Sequence, residues 1–237
     1  LAWSLFQLWI ASPIPYEIGF GVVNNAQARS IHLAFAVFLA FTAFPTLKTS
    51  PRTYIPIQDW IVALLGAFCA GYLFLFWDGL ADRSGAPSRL DIIAAVVGIA
   101  LLMEAARRSL GFPLMGVAAV FLAYVFFGSY AWLPDVIQWR GASVERAMSH
   151  MWLTTEGVFG VALGVSSGFV FLFVLFGALL NQAGAGNYFL SLAFATLGHL
   201  RGGPAKAAVI ASAATGLISG SSIANVVTTG TFTIPLM

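Results

Sequence analysis

Val158 to Leu180 runs without a charged residue, and Ser166-Ser167-Gly168 is its only polar interruption. Such a run is long enough to cross a bilayer, which takes ~20 predominantly apolar residues. Inside hydrocarbon each unsatisfied backbone N–H or C=O costs several kcal/mol, so only helices and closed barrels can span. A barrel would show short segments of alternating polarity, and the apolar runs of this chain are too long and continuous for that. The fold class expected is therefore all-α: a polytopic transmembrane helical protein. Composition agrees, with 59% hydrophobic and 8% charged residues, where a soluble domain carries about a quarter charged. Mean hydropathy is +0.90. The 24 Gly and 21 Phe suit helices packed closely in lipid.

Several further segments read as spans. Leu1 to Ile10 is too short to cross alone and reads as the tail of a first helix, stopped by Ser12-Pro13-Ile14-Pro15. Spans are expected at Ile31 to Leu47, Ile57 to Trp77, about Leu90 to Ala106, and Phe112 to Tyr130, with Tyr130 and Trp132 as interfacial aromatics. Lys48 and Arg52 follow the second expected span without nearby acids, and Arg107-Arg108 follow the fourth, which favours loops two and four as cytoplasmic. Glu104 with the two arginines reads as a solvated helix-end cluster. Both chain ends read as cuts, and no cleavable signal peptide is evident. The single Cys69 lies in an apolar run and reads as a packing residue.

From Pro134 to Met151 the composition changes, with Asp135, Arg140, Glu145, Arg146 and His150 among apolar residues. Part of this segment is expected to be an interfacial amphipathic helix presenting Val144, Ala147 and Met151. It is also the best boundary between two membrane domains, 1–134 and 135–237. Beyond Val158 to Leu180 and a Gly-rich turn, Tyr188 to Leu200 and Ala205 to Leu217 flank Arg201-Gly202-Gly203-Pro204. Each flank falls short of a full span, so a helical hairpin or bent helix pair is expected.

The stretch Gly216 to Pro235 follows at once and concentrates hydroxyls where lipid demands hydrocarbon. A Ser219-Gly220-Ser221-Ser222 break suits hydroxyl and freed carbonyl ligands for a hard cation, as in discontinuous transporter helices. Small-residue helix packing accounts for the same four residues equally well. Asn225, Thr228 and Thr229, with Thr231 and Thr233, extend the polar content and tilt the balance towards a cavity wall. Glu156 is an acid near a helix start, where Thr154 or Thr155 would cap and the carboxylate would favour the N-terminal dipole. Arg201 and Lys206 read as topological charges at the hairpin tip. His32, His150 and His199 are scattered without metal-ligand spacing, so neither a metal nor a catalytic site is expected. No nucleotide-binding motif supports ATP-driven pumping.

The residues Thr154-Thr155-Glu156-Gly157-Val158-Phe159-Gly160, Phe171 to Gly177, Arg201 to Lys206 and Gly216 to Met237 carry a resemblance. The chain resembles the membrane component of tripartite ATP-independent periplasmic (TRAP) transporters, and looks like the fused, TAXI-type permease in which small and large membrane subunits share one chain. The resemblance is strong over Met151 to Met237 and covers the earlier spans only in helix count and character. It implies a small-subunit-like scaffold over 1–134 and the start of the large transport subunit over 135–237. It also implies uptake of organic acids such as dicarboxylates, coupled to sodium by an elevator-like motion. The implied partners are a periplasmic substrate-binding protein, the organic anion, sodium and the bilayer of a bacterial or archaeal inner membrane, with no nucleic acid and no cofactor. Ser219, Gly220, Ser221 and Ser222 inherit the sodium and substrate role. Asn225, Thr228 and Thr229 are neighbouring wall residues. A membrane-embedded enzyme and a non-transporting assembly subunit are the alternatives.

Overall fold

The computed structural model describes residues 1–46, 54–83, 85–130, 133–217 and 230. In chain order the helices are α1 (Ala2–Ala11), α2 (Ile14–Ile18), α3 (Asn25–Ala43), α4 (Ile57–Leu75), α5 (Trp77–Asp82), α6 (Arg89–Leu110), α7 (Phe112–Phe127), α8 (Val144–Met148), α9 (Val161–Val165), α10 (Phe171–Gln182), α11 (Ala185–Leu197) and α12 (Gly203–Gly216). Two π-helical turns, Ser149–Leu153 and Ser166–Val170, extend α8 and join α9 to α10. Among the described residues there is no strand, and the protein is an all-α, polytopic membrane protein. Three helices are long and apolar enough to cross a bilayer: Asn25–Ala43, Ile57–Leu75 and the continuous helix Val161–Gln182. Of the other expected spans, α6 is 22 residues long but carries Asp91, Glu104, Arg107 and Arg108. α7 is apolar and 16 residues long.

The chain forms two compact units, Ser12–Ser167, and Leu1–Ala11 together with the chain from Gly168 on. In the first, helix starts are set by local chemistry. Asn24 caps α3 reciprocally with Gln27, Oδ1 accepting from the Gln27 N–H at 2.8 Å and Gln27 Oε1 accepting from the Asn24 N–H at 3.0 Å. Ser88 and Asp91 form the same box at the start of α6. Each box satisfies two donors that a helix N-terminus otherwise leaves open.

α3 and α4 pack closely because Gly66 removes a side chain at their crossing. A Cβ there would sit 2.7 Å from Val37 Cγ1 and 3.1 Å from Phe41 Cε2. At another point of the pair, the buried Ser30 hydroxyl donates to Ala70 O at 2.7 Å and accepts from the Phe74 N–H at 3.2 Å. Small residues and hydroxyl links of this kind hold helices together where lipid removes the hydrophobic drive, at an average of ~0.6 kcal/mol per interhelical hydrogen bond.

α6 completes the unit's core, and Trp152 fits against it. The indole occupies the space in which a Gly98 Cβ would fall, donates from Nε1 to Cys69 O at 3.1 Å, and meets Phe159 edge to face at 5.3 Å. The segment after Pro134 therefore differs from the expected interfacial helix. α8 and the π turn do form, but Ala147, Met148 and Trp152 are buried in the core, while Val144 is exposed. The side that is buried follows Met148 and Trp152, four residues apart, because an indole offers far more apolar area than Val144.

The charges at the end of α6 are also not simply solvated. Arg108 donates from Nη1 to Asp59 Oδ1 at 2.8 Å and from Nε to Glu104 Oε1 at 2.8 Å, and its guanidinium lies 4.6 Å from the centre of the Phe41 ring. The Arg108 and Asp59 side chains are only 4% and 2% exposed. Arg107 pairs with Glu104 and stays partly exposed. An aspartate at the start of a neighbouring helix is what draws Arg108 inward. This contact also brings the start of α4 and the end of α6 together, as the assignment of loops two and four to one side requires.

In the second unit α11 and α12 pair through Leu190, Ala193, Ala207 and Ala211, with Phe194 and Leu197 packed against them. Trp3 of α1 meets Phe171 of α10, ring centres 4.6 Å apart.

Candidate functional site

The residues singled out as the cation and substrate site, Ser219, Gly220, Ser221, Ser222, Asn225, Thr228 and Thr229, lie outside the described residues, as do Thr231, Thr233 and Trp132. What the structure describes is the element that leads into them.

That element is a hairpin. α11 has 13 residues and α12 has 14, which at 1.5 Å per residue makes each about 20 Å long, short of the ~30 Å hydrocarbon core. Alanines at the contact, Ala193, Ala207 and Ala211, are at most 3% exposed, so the two backbones approach closely. The turn depends on its glycines. Gly202 has φ +70°, a left-handed conformation that other residues adopt only with strain. A Cβ on Gly203 would fall against the carbonyl oxygens of Gly198 and Leu197. Pro204 stands in the first turn of α12, where its missing N–H is harmless. Arg201 and Lys206 are exposed at this tip and form no ion pair with a described residue. Thr215, the penultimate residue of α12, is buried and satisfies its hydroxyl on Ala211 O at 2.8 Å. α12 thus delivers the chain at Gly216 to the Ser-Gly-Ser-Ser stretch.

A second polar group lies within the Ser12–Ser167 unit and was not visible from spacing. Arg29 on α3 donates from Nη1 to Phe159 O at 2.9 Å and Gly160 O at 3.2 Å. Gly164 leaves room for it, since a Cβ there would come within 2.6 Å of Arg29 Nη2. One turn further along α3, the buried His32 has Nε2 3.3 Å from Ser166 Oγ. Ser166 opens the π turn, in which Ser167 donates to Gly164 O at 3.2 Å. The arginine holds the start of the long apolar helix against α3, and the histidine meets that helix where its regular hydrogen bonding changes. Ser166-Ser167-Gly168 was the available signal for this irregularity.

Glu156 does not cap the long helix. That helix begins at Val161 behind Gly160, without a side-chain cap, and Glu156 pairs instead with His150, Oε2 to Nδ1 3.3 Å, both well exposed. Thr154 accepts from the Glu156 N–H at 3.4 Å and donates to His150 O at 2.8 Å. The chain between Leu153 and Gly160 turns tightly: the Val158 N–H donates to Met151 O at 2.8 Å, and a Gly157 Cβ would strike the Met151 backbone. There is no room for the extra turn of helix that would bring Glu156 to an N-terminus. Among the described residues no three His, Cys, Asp or Glu side chains converge as a metal site would need.

Long apolar helices, a hairpin of helices too short to cross, and a polar stretch at the hairpin's exit define a polytopic membrane protein with the architecture of a permease. The family described as "Tripartite ATP-independent periplasmic transporter, DctM component" matches residues 96–237. The chain belongs to this family and is a TRAP transporter membrane component. No curated protein and no solved structure matches the chain.

Proposed function

We propose that the chain is the permease of a sodium-coupled secondary transporter that takes up organic acids delivered by a periplasmic substrate-binding protein. The observation that carries this reading is the hairpin α11–α12, built from helices too short to span and leading directly into Ser219-Gly220-Ser221-Ser222. A broken helix held by such a hairpin leaves carbonyls and hydroxyls free to ligate sodium, and the bound cation offsets the charge of an anionic substrate. The loaded site then crosses within a moving bundle, in an elevator-like motion. Family membership supports the transport class and the binding-protein partner; sodium and the organic anion rest on the residue chemistry and on the resemblance.

The fused organisation belongs to the same proposal. Residues 1–134 serve as the small-subunit-like scaffold and 135–237 as the start of the transport part, in a bacterial or archaeal inner membrane. The matched residues 96–237 include all of the latter and also most of α6 and all of α7. The test is uptake of a labelled dicarboxylate by the full-length transporter in proteoliposomes with its binding protein. Replacing sodium by choline should abolish uptake, and Ser221→Ala and Ser222→Ala should raise the sodium concentration needed. Uptake indifferent to sodium and to both substitutions refutes the proposal.

A further inference from the structure

We infer that the segment 133–142 of the Ser12–Ser167 unit is a membrane-inserted loop, whose turn 134–137 lies at the boundary between headgroups and acyl chains and finishes the crossing that α7 begins. α7 is too short to finish it alone. Its 16 residues span about 24 Å at 1.5 Å per residue, against a hydrocarbon core of ~30 Å. Its start is pinned at a charged boundary. It follows directly on the arginines that close α6, and the Arg107 guanidinium lies over the Phe112 ring, 5.6 Å from its centre. The far end therefore stops about 6 Å short of the opposite headgroups. From there the chain reverses. The Trp139 N–H donates to Gly128 O at 2.9 Å and the Ala142 N–H to Val125 O at 3.1 Å, which lays the returning chain beside the last turn of α7, at the same depth.

The loop has the chemistry of a segment that water does not solvate. Irregular backbone near hydrocarbon has to satisfy its own polar groups, and the amides of Tyr130, Leu133, Ile137, Gln138, Trp139 and Ala142 all donate to backbone carbonyls. Three polar side chains turn onto the backbone as well. Gln138 Nε2 donates to Tyr130 O at 3.0 Å, Trp139 Nε1 to Tyr124 O at 3.0 Å, and the Tyr124 hydroxyl to Ile137 O. Gly128 admits the indole, since a Cβ there would fall 1.9 Å from the Trp139 ring. The outward side chains are apolar instead: Val136 is 96% exposed, and Ile137, Tyr130 and Phe127 are half-exposed. The Phe127 and Tyr130 rings meet at 5.8 Å, so this face continues the apolar surface of α7, a helix that buries none of its residues. Tyr and Trp suit this level, where an amphipathic ring sits between chains and headgroups. Asp135 and Arg140, exposed in the same loop, limit insertion to the boundary, where the arginine stem lies along apolar surface and its charge reaches outward.

The test is power-saturation electron paramagnetic resonance of the full chain in nanodiscs of phosphatidylcholine and phosphatidylglycerol. A nitroxide is attached to Val136→Cys, with Val120→Cys on the exposed surface of α7 as the lipid reference and Arg201→Cys at the hairpin tip as the water reference. The wild-type chain, whose Cys69 is buried, is the labelling blank. The label at position 136 should meet a water-soluble nickel chelate severalfold less than the label at position 201, and dissolved oxygen more, approaching the label at position 120. Gly128→Leu, which drives the Trp139 ring off α7, should release the loop and raise nickel access at position 136 severalfold, leaving position 120 unchanged. Trp139→Ala removes the same fastening without crowding and should act alike, so the result does not depend on whether Gly128→Leu folds. A label at position 136 as open to nickel as the one at position 201 overturns the inference; if a periplasmic binding protein then shields it, the surface is a protein contact. Nickel access at position 136 that neither substitution raises also overturns it, because the fastened loop is then not what holds Val136 in lipid.

Discussion

The Asp59–Arg108 pair gives a direct test of how the first unit is held together. Both side chains are almost wholly buried, and removing one partner of a buried pair costs about 3–5 kcal/mol because it strands the other charge. The two substitutions should not be equal. In Asp59→Asn the guanidinium keeps Glu104 at 2.8 Å and the Phe41 ring at 4.6 Å, so the loss should fall near 3 kcal/mol. In Arg108→Met the Asp59 carboxylate keeps, among the described residues, only the Thr46 hydroxyl, 2.5 Å away, and the loss should approach 5 kcal/mol. For a unit of this size each kcal/mol moves Tm by roughly 2–4 °C, so shifts of about 6–12 °C and 10–20 °C are expected. Asp59→Asn/Arg108→Met should lose less than the sum of the two, since neither charge is left stranded. The chain supplies its own reporter: Cys69 is its single cysteine, it is 2% exposed, and it sits on the same helix as Asp59. A thiol-reactive fluorophore that lights up as Cys69 emerges reads unfolding of this unit in detergent. Shifts below about 2 °C for both single variants, or a larger loss for Asp59→Asn than for Arg108→Met, refute the reasoning.

Other positions give sharper or gentler responses. Gly98→Val should destabilise the same unit by about 1–3 kcal/mol, read by the Cys69 assay, because the new side chain displaces the Trp152 indole. Gly203→Ala should loosen the α11–α12 turn more than Gly202→Ala, since the first meets two carbonyl oxygens whereas the second has open space and strains only its φ of +70°; trypsin cleavage at the exposed Arg201 and Lys206 should accelerate in that order. Glu156→Gln should change stability by no more than the ~0–1 kcal/mol of a surface pair, read as a small Tm shift, because its contact with His150 is exposed.

The membrane class and the hairpin were legible in the sequence because each rests on local information. A charge-free run such as Val158 to Leu180 leaves a helix as its solution in lipid, and Gly-Gly-Pro between two short apolar flanks leaves little but a turn. The helix starts at Asn24 and Ser88 were equally local, yet reading apolar runs alone placed them late. Partner choice was not legible. Asp59 and Arg108 stand 49 positions apart, and Arg29 and Gly160 stand 131 apart, and nothing in periodicity announces such contacts. The burial of Trp152 rather than Val144 was likewise decided by a glycine on another helix. The Ser-Gly-Ser-Ser site stays a reading of residue chemistry, tied to the structure through the hairpin that precedes it.

The long-range contacts also bear on which part of a transporter could move. α4 is fastened to α6 at two points: Asp59 near its start holds Arg108, and Tyr72 near its end donates to Asp91 at 2.7 Å. Along α4 these anchors are about 20 Å apart, and along α6 about 26 Å, at 1.5 Å per residue. A slide of α4 past α6 by one helical turn, about 5.4 Å, would break both anchors together and part the buried Asp59 carboxylate from its guanidinium. Ser30 binds α3 to the same α4 backbone. Three helices tied in this way are suited to moving as one body or to staying still. The hairpin has a different chemistry: its contact is chiefly alanine and leucine, and none of the ion pairs among the described residues falls within it. An apolar contact of that kind has no buried charge to strand when it shifts. If one part of this protein rearranges as the proposed site loads, the energetics favour the hairpin over the α3–α4–α6 frame.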